Sequence, residues 1–303
     1  MWPGDHGTGA EWSEVLPGVA WRVDVERTAA LHSLNNDVTV LVDTATEERF
    51  VARRPRPRTA DRLGVLRREE TIVLAAAAAA ELTPAPIAST EEGVLLTPFI
   101  TTPSPWTGAG WTGVGASRGH DLIRRLLACP PPAGVPSTTE RVDRMLDGVE
   151  DPTRFGFDVG RLRVTLAAVH AERSADRRYE PCLTHHDLWA NNVIDDGDRL
   201  WLVDYEFAGA GDGWFDLATV VSDAGLDRQQ TIRFLQAVGR AGDRADLRAL
   251  AQGTWLFHVF EMLWGAIMAE QGEQRNLAGD RFDYAGHARR IAGGLSAMGP
   301  PVR

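Results

Sequence analysis

The spacing of apolar positions changes along this chain, from short β-rich runs around one helix-forming stretch before residue 100 to helical spacing after it. Val38-Thr39-Val40-Leu41-Val42 is rich in β-branched residues, and Arg49-Phe50-Val51-Ala52-Arg53 follows a polar turn, which predicts two paired strands. Arg67 to Leu82 is made of good helix formers, including the run Ala75 to Ala80, and stops before Thr83-Pro84-Ala85-Pro86, so a helix is expected there. Gly93 to Ile100 is an apolar run broken by Pro98 and reads as an edge strand. Thr101 to Gly115, rich in Thr, Pro, Gly and Trp, reads as a linker or a loop on the substrate side. His120 to Leu127 then shows helical spacing, ended by Cys129-Pro130-Pro131-Pro132, and Thr138 to Val149 starts a helix after a Ser/Thr cluster. Val159, Leu162, Leu166 and Val169 form an i, i+3, i+7, i+10 stripe, which predicts a core helix ending at His170, where a helix-terminal or core role is expected. The first 29 residues offer only a possible short helix around Ala10–Leu16.

The stretch from Leu183 to Asp216 breaks this pattern with chemistry. His185-His186-Asp187 is followed by Asn192 and, after a predicted hairpin, by Asp204. Asn191-Asn192-Val193-Ile194 leads into the turn composition of Asp195-Asp196-Gly197-Asp198, and Leu200-Trp201-Leu202-Val203 returns as a strand, bringing Asn192 and Asp204 together. Magnesium takes oxygen ligands in an octahedral shell and commonly only one or two of them from the protein. Asn192 and Asp204 are candidates for those two. Asp187, five residues before Asn192, is placed to accept the proton of an attacking hydroxyl, the step found in kinase catalytic loops.

These residues carry a family resemblance. HHDLWANN, then LVDYEFAG, then WFDLA resemble the catalytic and metal-binding segments of the aminoglycoside phosphotransferase and choline kinase superfamily, most of all its bacterial choline/ethanolamine kinase branch. The resemblance runs from about residue 30 to the end, being specific over 183–218, moderate over 254–285 and thin before that. It implies a bilobal, protein-kinase-like α/β (α+β) fold, with a small β-rich N-terminal nucleotide-binding lobe over 1–98 and a helical lobe with the acceptor pocket over 99–303. It implies ATP and magnesium as cofactors, Asp187 as base, Asn192 and Asp204 as metal ligands, and Asp216 and His185 as structural support. His186 departs from the small residue often found after the first His, which is tolerable if its side chain faces away from the phosphates.

In the N-terminal part the likeness implies that Arg53 holds nucleotide phosphates where kinases place a lysine. Glu70 is its implied helix partner, with Glu69 the second choice, and a solvated helix face remains an alternative for both. Ser33-Leu34-Asn35-Asn36-Asp37 occupies the place of the phosphate loop but contains no glycine. Asn35 and Asn36 are candidates for phosphate contact through exposed N–H groups, and an ordinary hairpin entrance is the alternative. Near the C-terminus, Thr254 to Gly265 followed by Arg281-Phe282-Asp283-Tyr284-Ala285 resembles the choline kinase tail whose aromatics enclose an ammonium. Trp264 matches one such aromatic, and Glu261 stands where a second is expected, one turn earlier on the same helix face. Glu206, Glu261 and Trp264 are therefore the substrate candidates, although a Trp/Phe/Leu stripe also suits plain core.

Composition narrows the class. The 44% apolar and 24% charged content of these 303 residues is ordinary for a soluble globular chain. No run approaches a membrane span, and MWPGDHGTGAEW lacks the order of a signal peptide, so a cytoplasmic location is expected. Cys129 and Cys182 are too few for a disulfide framework. A net charge of −10 argues against nucleic acid and suits a cationic substrate. All 32 basic residues are arginine, which excludes a Walker A loop and requires guanidinium at any phosphate clamp. The expected activity is transfer of the γ-phosphoryl of ATP to a hydroxyl of a small cationic molecule, choline/ethanolamine kinase-like. The alternatives are an aminoglycoside-type antibiotic phosphotransferase and, in another class, a catalytically inactive ligand-binding pseudokinase.

Overall fold

The structure, a computed structural model, describes residues 23–26, 36–43, 45–55, 62–102, 105–274 and 280–298. The short helix expected around Ala10–Leu16, and Asn35, lie outside them. Five antiparallel strands form one sheet in the order β1-β2-β3-β5-β4: β1 Val23–Glu26, β2 Asn36–Asp43, β3 Arg49–Pro55, β4 Ala88–Ser89 and β5 Leu95–Pro98. The predicted pair is β2 with β3, in a register that sets Val38 opposite Arg53 and Val40 opposite Val51. Strand period 2 sends Phe50 and Ala52 to one face and Arg53 to the other.

The strand at 95–98 corrects an expectation. It is not an edge, because β3 flanks it on one side and β4 on the other, with Ala88 opposite Leu96 and Ser89 opposite Leu95. Two residues are too few to show an alternating pattern, which is why β4 escapes a reading by periodicity. Pro98 ends β5 beyond the reach of β4, where its missing N–H costs no ladder bond.

Eight α-helices follow or flank the sheet among the described residues: α1 Arg67–Ala79, α2 Ala116–Ala128, α3 Thr138–Gly148, α4 Val159–Ser174, α5 Trp214–Asp223, α6 Arg228–Ala237, α7 Arg244–Glu270 and α8 Tyr284–Met298. Ser137 begins α3 with a reciprocal capping box, its Oγ accepting from Glu140 N while Glu140 accepts from Ser137 N. Asp158 and Asp243 cap α4 and α7 in the simpler way. In α4, Leu162, Leu166 and Val169 are buried as the stripe predicts, but the helix runs one turn past His170, which is exposed and bonded to Thr139 rather than terminal or in the core. None of the described helices is long and apolar enough to cross a membrane.

Two apolar clusters hold these elements. One joins α3, α4, α7 and α8 through residues such as Leu146, Leu166, Phe260 and Leu263. The other runs from Val73 and Leu74 of α1 and Leu95 of β5 to Leu122 of α2, Leu202 and Trp214, so the sheet and the helices share a core. Gly253 lets α7 cross the start of α5, since a Cβ there would lie 2.2 Å from the Trp214 carbonyl oxygen. That crossing sets α5, and the carboxylate of Asp216, beneath the stretch that carries the chemistry.

Candidate active site

Strand β6, Cys182–Thr184, runs into His185 and His186, and His186 has the left-handed φ of 61° that turns the chain. Asp216 secures the turn from behind, accepting the N–H of His185 at 2.7 Å and of His186 at 2.9 Å. His185 donates from Nε2 to the Val203 carbonyl at 3.0 Å, and burial pushes its imidazole down to about 4, so it stays neutral. His186 donates from Nδ1 to Phe207 O and accepts from the Thr138 hydroxyl at Nε2, 2.7 Å away. Its side chain is 2% exposed and is spent on these contacts, which explains how a histidine is accommodated here.

The turn delivers Asp187 to Asn192. Asn192 donates from Nδ2 to the Asp187 backbone oxygen at 2.8 Å and to Asp187 Oδ2 at 2.7 Å. It then enters the predicted hairpin of β7, Val193–Asp195, and β8, Leu200–Leu202, and Val203 N donates back to Asn192 O at 3.0 Å. The next residue, Asp204, has φ 63°, a left-handed backbone unusual outside glycine, so the pairing ends there and its carboxylate turns to accept from Arg53. Burial first, then the charges of Asp204 and Glu261, hold the Asp187 carboxyl well above the usual range. Burial and Glu206 raise Asp204 to about 7 against the pull of Arg53. With its amide nitrogen committed to Asp187, Asn192 has Oδ1 left for a cation, and the Asp204 side chain is still 33% exposed. Two oxygen donors with open positions fit a hard divalent ion completed by phosphate and water.

Across from this pair stands an arginine network. Arg53 donates from Nη2 to Glu70 Oε1 and from Nη1 to Asp204 Oδ1, the latter at 3.2 Å. Glu70, rather than Glu69, is thus the helix acid that meets Arg53, and its carboxyl is held below the ordinary value by Arg53 and Arg67 against the cost of burial. Arg67, which the sequence reading left as a helix start, donates to Glu70 Oε2 at 3.0 Å, Glu206 Oε2 at 3.2 Å and Asn36 Oδ1 at 2.9 Å. Asn36 also donates to Glu206 Oε2 at 3.0 Å. The side chains of Asn36 and Glu206, expected at phosphate and acceptor, therefore close this network with 1% and 4% exposure. One signal for Arg67 was available in the sequence: a cation in the first turn opposes the helix dipole and asks for a reason outside the helix.

The remaining candidates line α7. Trp189, two residues after Asp187, packs on Phe257 with ring centroids 5.6 Å apart. One turn on is Glu261, whose charge acts on both Asp187 and His258. Glu261 Oε2 lies 3.5 Å from His287 Nε2. Trp264 is half-buried and meets Tyr284 edge-on at 5.2 Å, with His287 beyond at 6.3 Å. Sequence reasoning quoted Tyr284 only as part of the 281–285 stretch and missed His287, because the packing of α8 on α7 is what brings them here.

The fold is shared with solved kinases and phosphotransferases that act on small molecules. The chain belongs to the phosphotransferase enzyme family, whose match runs over residues 28–252. It superposes on choline kinase LicA from Streptococcus pneumoniae with a TM-score of 0.72 and 18% identity, covering 95% of this chain and 97% of that one. The ADP-bound aminoglycoside phosphotransferase APH(2'')-Ib gives a TM-score of 0.57 at 13% identity, over 95% of this chain and 97% of that one. In sequence, a LicA homolog from Metamycoplasma hominis is 40% identical over 55 residues, which are 18% of this chain and 22% of that protein. The sequence match thus spans about a fifth of that relative's length.

Proposed function

We propose that this enzyme transfers the γ-phosphoryl group of ATP to the hydroxyl of a small, cationic amino alcohol, in the manner of choline and ethanolamine kinases. The observation that carries this reading is that Asp187 is bonded by Asn192 and also feels the charge of Glu261. The first marks the nucleotide side and the second the acceptor side.

Asp187 takes the proton of the acceptor hydroxyl as that oxygen bonds to the γ-phosphorus, and the β–γ bridging oxygen leaves with ADP. A carboxylate kept basic by burial and by neighbouring acids suits that task. Arg53 offers a planar fork to the nucleotide's phosphates, with Glu70 holding the guanidinium in place. Magnesium bound by Asn192 and Asp204 would neutralise charge on those phosphates. On the other side Glu261 supplies the counter-charge and Trp264 an aromatic face for an ammonium group. Among the described residues no guanidinium bonds to Asp187 or Glu261, and Glu261 meets the imidazole of His287 at 3.5 Å. The division between the two lobes falls near Pro98, where β5 ends.

The test is ADP release with magnesium and ATP or GTP against choline, ethanolamine, other amino alcohols, aminoglycosides and amino sugars. Turnover with an amino alcohol and ATP supports the reading. Turnover with aminoglycosides alone would assign the site to antibiotic modification, and no turnover with any acceptor would leave a ligand-binding protein.

A further inference from the structure

Helix α5 touches the segment from His185 to Asn192 at both ends. Asp216 and Asp223 are seven residues apart, which at 3.6 residues per turn is about 20° short of two full turns, so both lie on one helix face on the order of 10 Å apart. Asp216 accepts the N–H groups of His185 and His186. Asp223 accepts the N–H of Ala190 at Oδ2, 3.0 Å away. Ala190 opens the short 3-10 turn that ends at Asn192, and Trp189 before it offers no side-chain cap. Asp223 supplies that cap from another element.

The helix by itself gives no reason for an acid at this place. Asp223 is the last residue of α5, where the carbonyl ends carry partial negative charge and a carboxylate is disfavoured. Half-burial raises its carboxyl further, and the Ala190 N–H offsets this only in part.

We infer that Asp223 is a positioning residue, which fixes the turn that aims Asn192 as Asp216 fixes the His185–His186 end. One helix face then sets the spacing between Asp187 and Asn192. The inference rests on the reading of Asn192 as a metal ligand and adds to it a residue that acts on the metal through Asn192 without touching it.

The experiment compares the full chain with its Asp223→Ala, Asp223→Asn and Asn192→Ala variants. The magnesium concentration giving half-maximal ADP release is measured, together with magnesium-dependent binding of a non-hydrolysable ATP analogue by calorimetry. Groups that orient metal ligands typically change metal affinity by 10–100-fold, so Asp223→Ala is expected to raise the magnesium requirement roughly 10-fold in both assays. Asp223→Asn keeps an oxygen that accepts from Ala190 and should restore nearly all of it. Where Asp223→Ala does not fold, Asp223→Ser, too short to reach Ala190, takes its place. An unchanged magnesium requirement in Asp223→Ala beside a raised one in Asn192→Ala overturns the inference and leaves the metal reading standing. An unchanged requirement in Asn192→Ala overturns both.

Discussion

Asn192 holds Asp187 through a single nitrogen, at 2.8 Å to its backbone oxygen and 2.7 Å to its carboxylate. The bond fixes the base candidate and leaves the amide oxygen free of Asp187, so one side chain would join the proposed proton transfer to the proposed metal site. Asp187→Asn, a nearly isosteric change, should lower turnover by roughly 10²-fold or more, the lower end of general-base contributions. Binding of the magnesium-nucleotide, followed by calorimetry, should stay close to that of the parent. Near-parental turnover in this variant would remove Asp187 from the proton-transfer step.

Arg53 meets Glu70 and Asp204 with separate nitrogens of one planar group. Lysine keeps the charge but has no fork, so Arg53→Lys is expected to raise the KM for ATP and lower kcat. Steady-state kinetics decide this, and kinetics equal to or better than the parent's would show that the fork does not grip phosphate.

The local part of the site was legible in the sequence. Asp187, Asn192 and Asp204 lie within 18 positions, and the turn residues Asp195 to Asp198 announce the hairpin that joins the last two. The β2–β3 pair and the core stripe of α4 followed from periodicity in the same way. What escaped depends on contacts between distant segments. Glu206 reads as a pocket acid because it stands two residues from Asp204, but the left-handed turn at Asp204 reverses the chain and sends Glu206 toward Asn36 and Arg67. Arg67 and Glu206 are 139 residues apart, a separation that no spacing rule connects.

The Arg67–Glu206 contact gives a third prediction. Glu206→Ala takes one carboxylate from buried Arg67, which keeps Glu70, and an acceptor from Asn36, so it should cost about 2 kcal/mol of stability in urea unfolding. Because Glu206 bonds Asn36 and Arg67, its loss should raise the KM for ATP and leave that for the acceptor unchanged. A raised acceptor KM with stability intact would instead put Glu206 at the acceptor.

Buried His185 makes stability depend on pH. An unfolded imidazole takes a proton near 6.5, whereas the folded one refuses it until about 4, so between those values the unfolded state binds more protons and stability falls as pH falls. Asp216 and Asp204, raised to about 7, act in the opposite sense, so the histidine's share is read against a variant. Between pH 6.5 and 4.5 the parent should lose about 2 kcal/mol more than His185→Asn, at about 1.4 kcal/mol per unit. Urea unfolding at the two pH values measures this, and parallel losses would mean that His185 is already charged in the folded protein.

The proposed acceptor pocket is tested most directly by the identity of residue 261. A quaternary ammonium has no N–H and is held best by several aromatic faces, each contributing roughly 0.5–2 kcal/mol. In the proposed pocket Glu261 would stand in place of one such face, which favours an ammonium able to donate a charge-assisted hydrogen bond. The measurement is kcat/KM for ethanolamine and choline with the parent enzyme and with Glu261→Trp. The parent is expected to prefer ethanolamine and the substitution to move the preference toward choline; a parent preference for choline that the substitution leaves unchanged would contradict the proposed pocket.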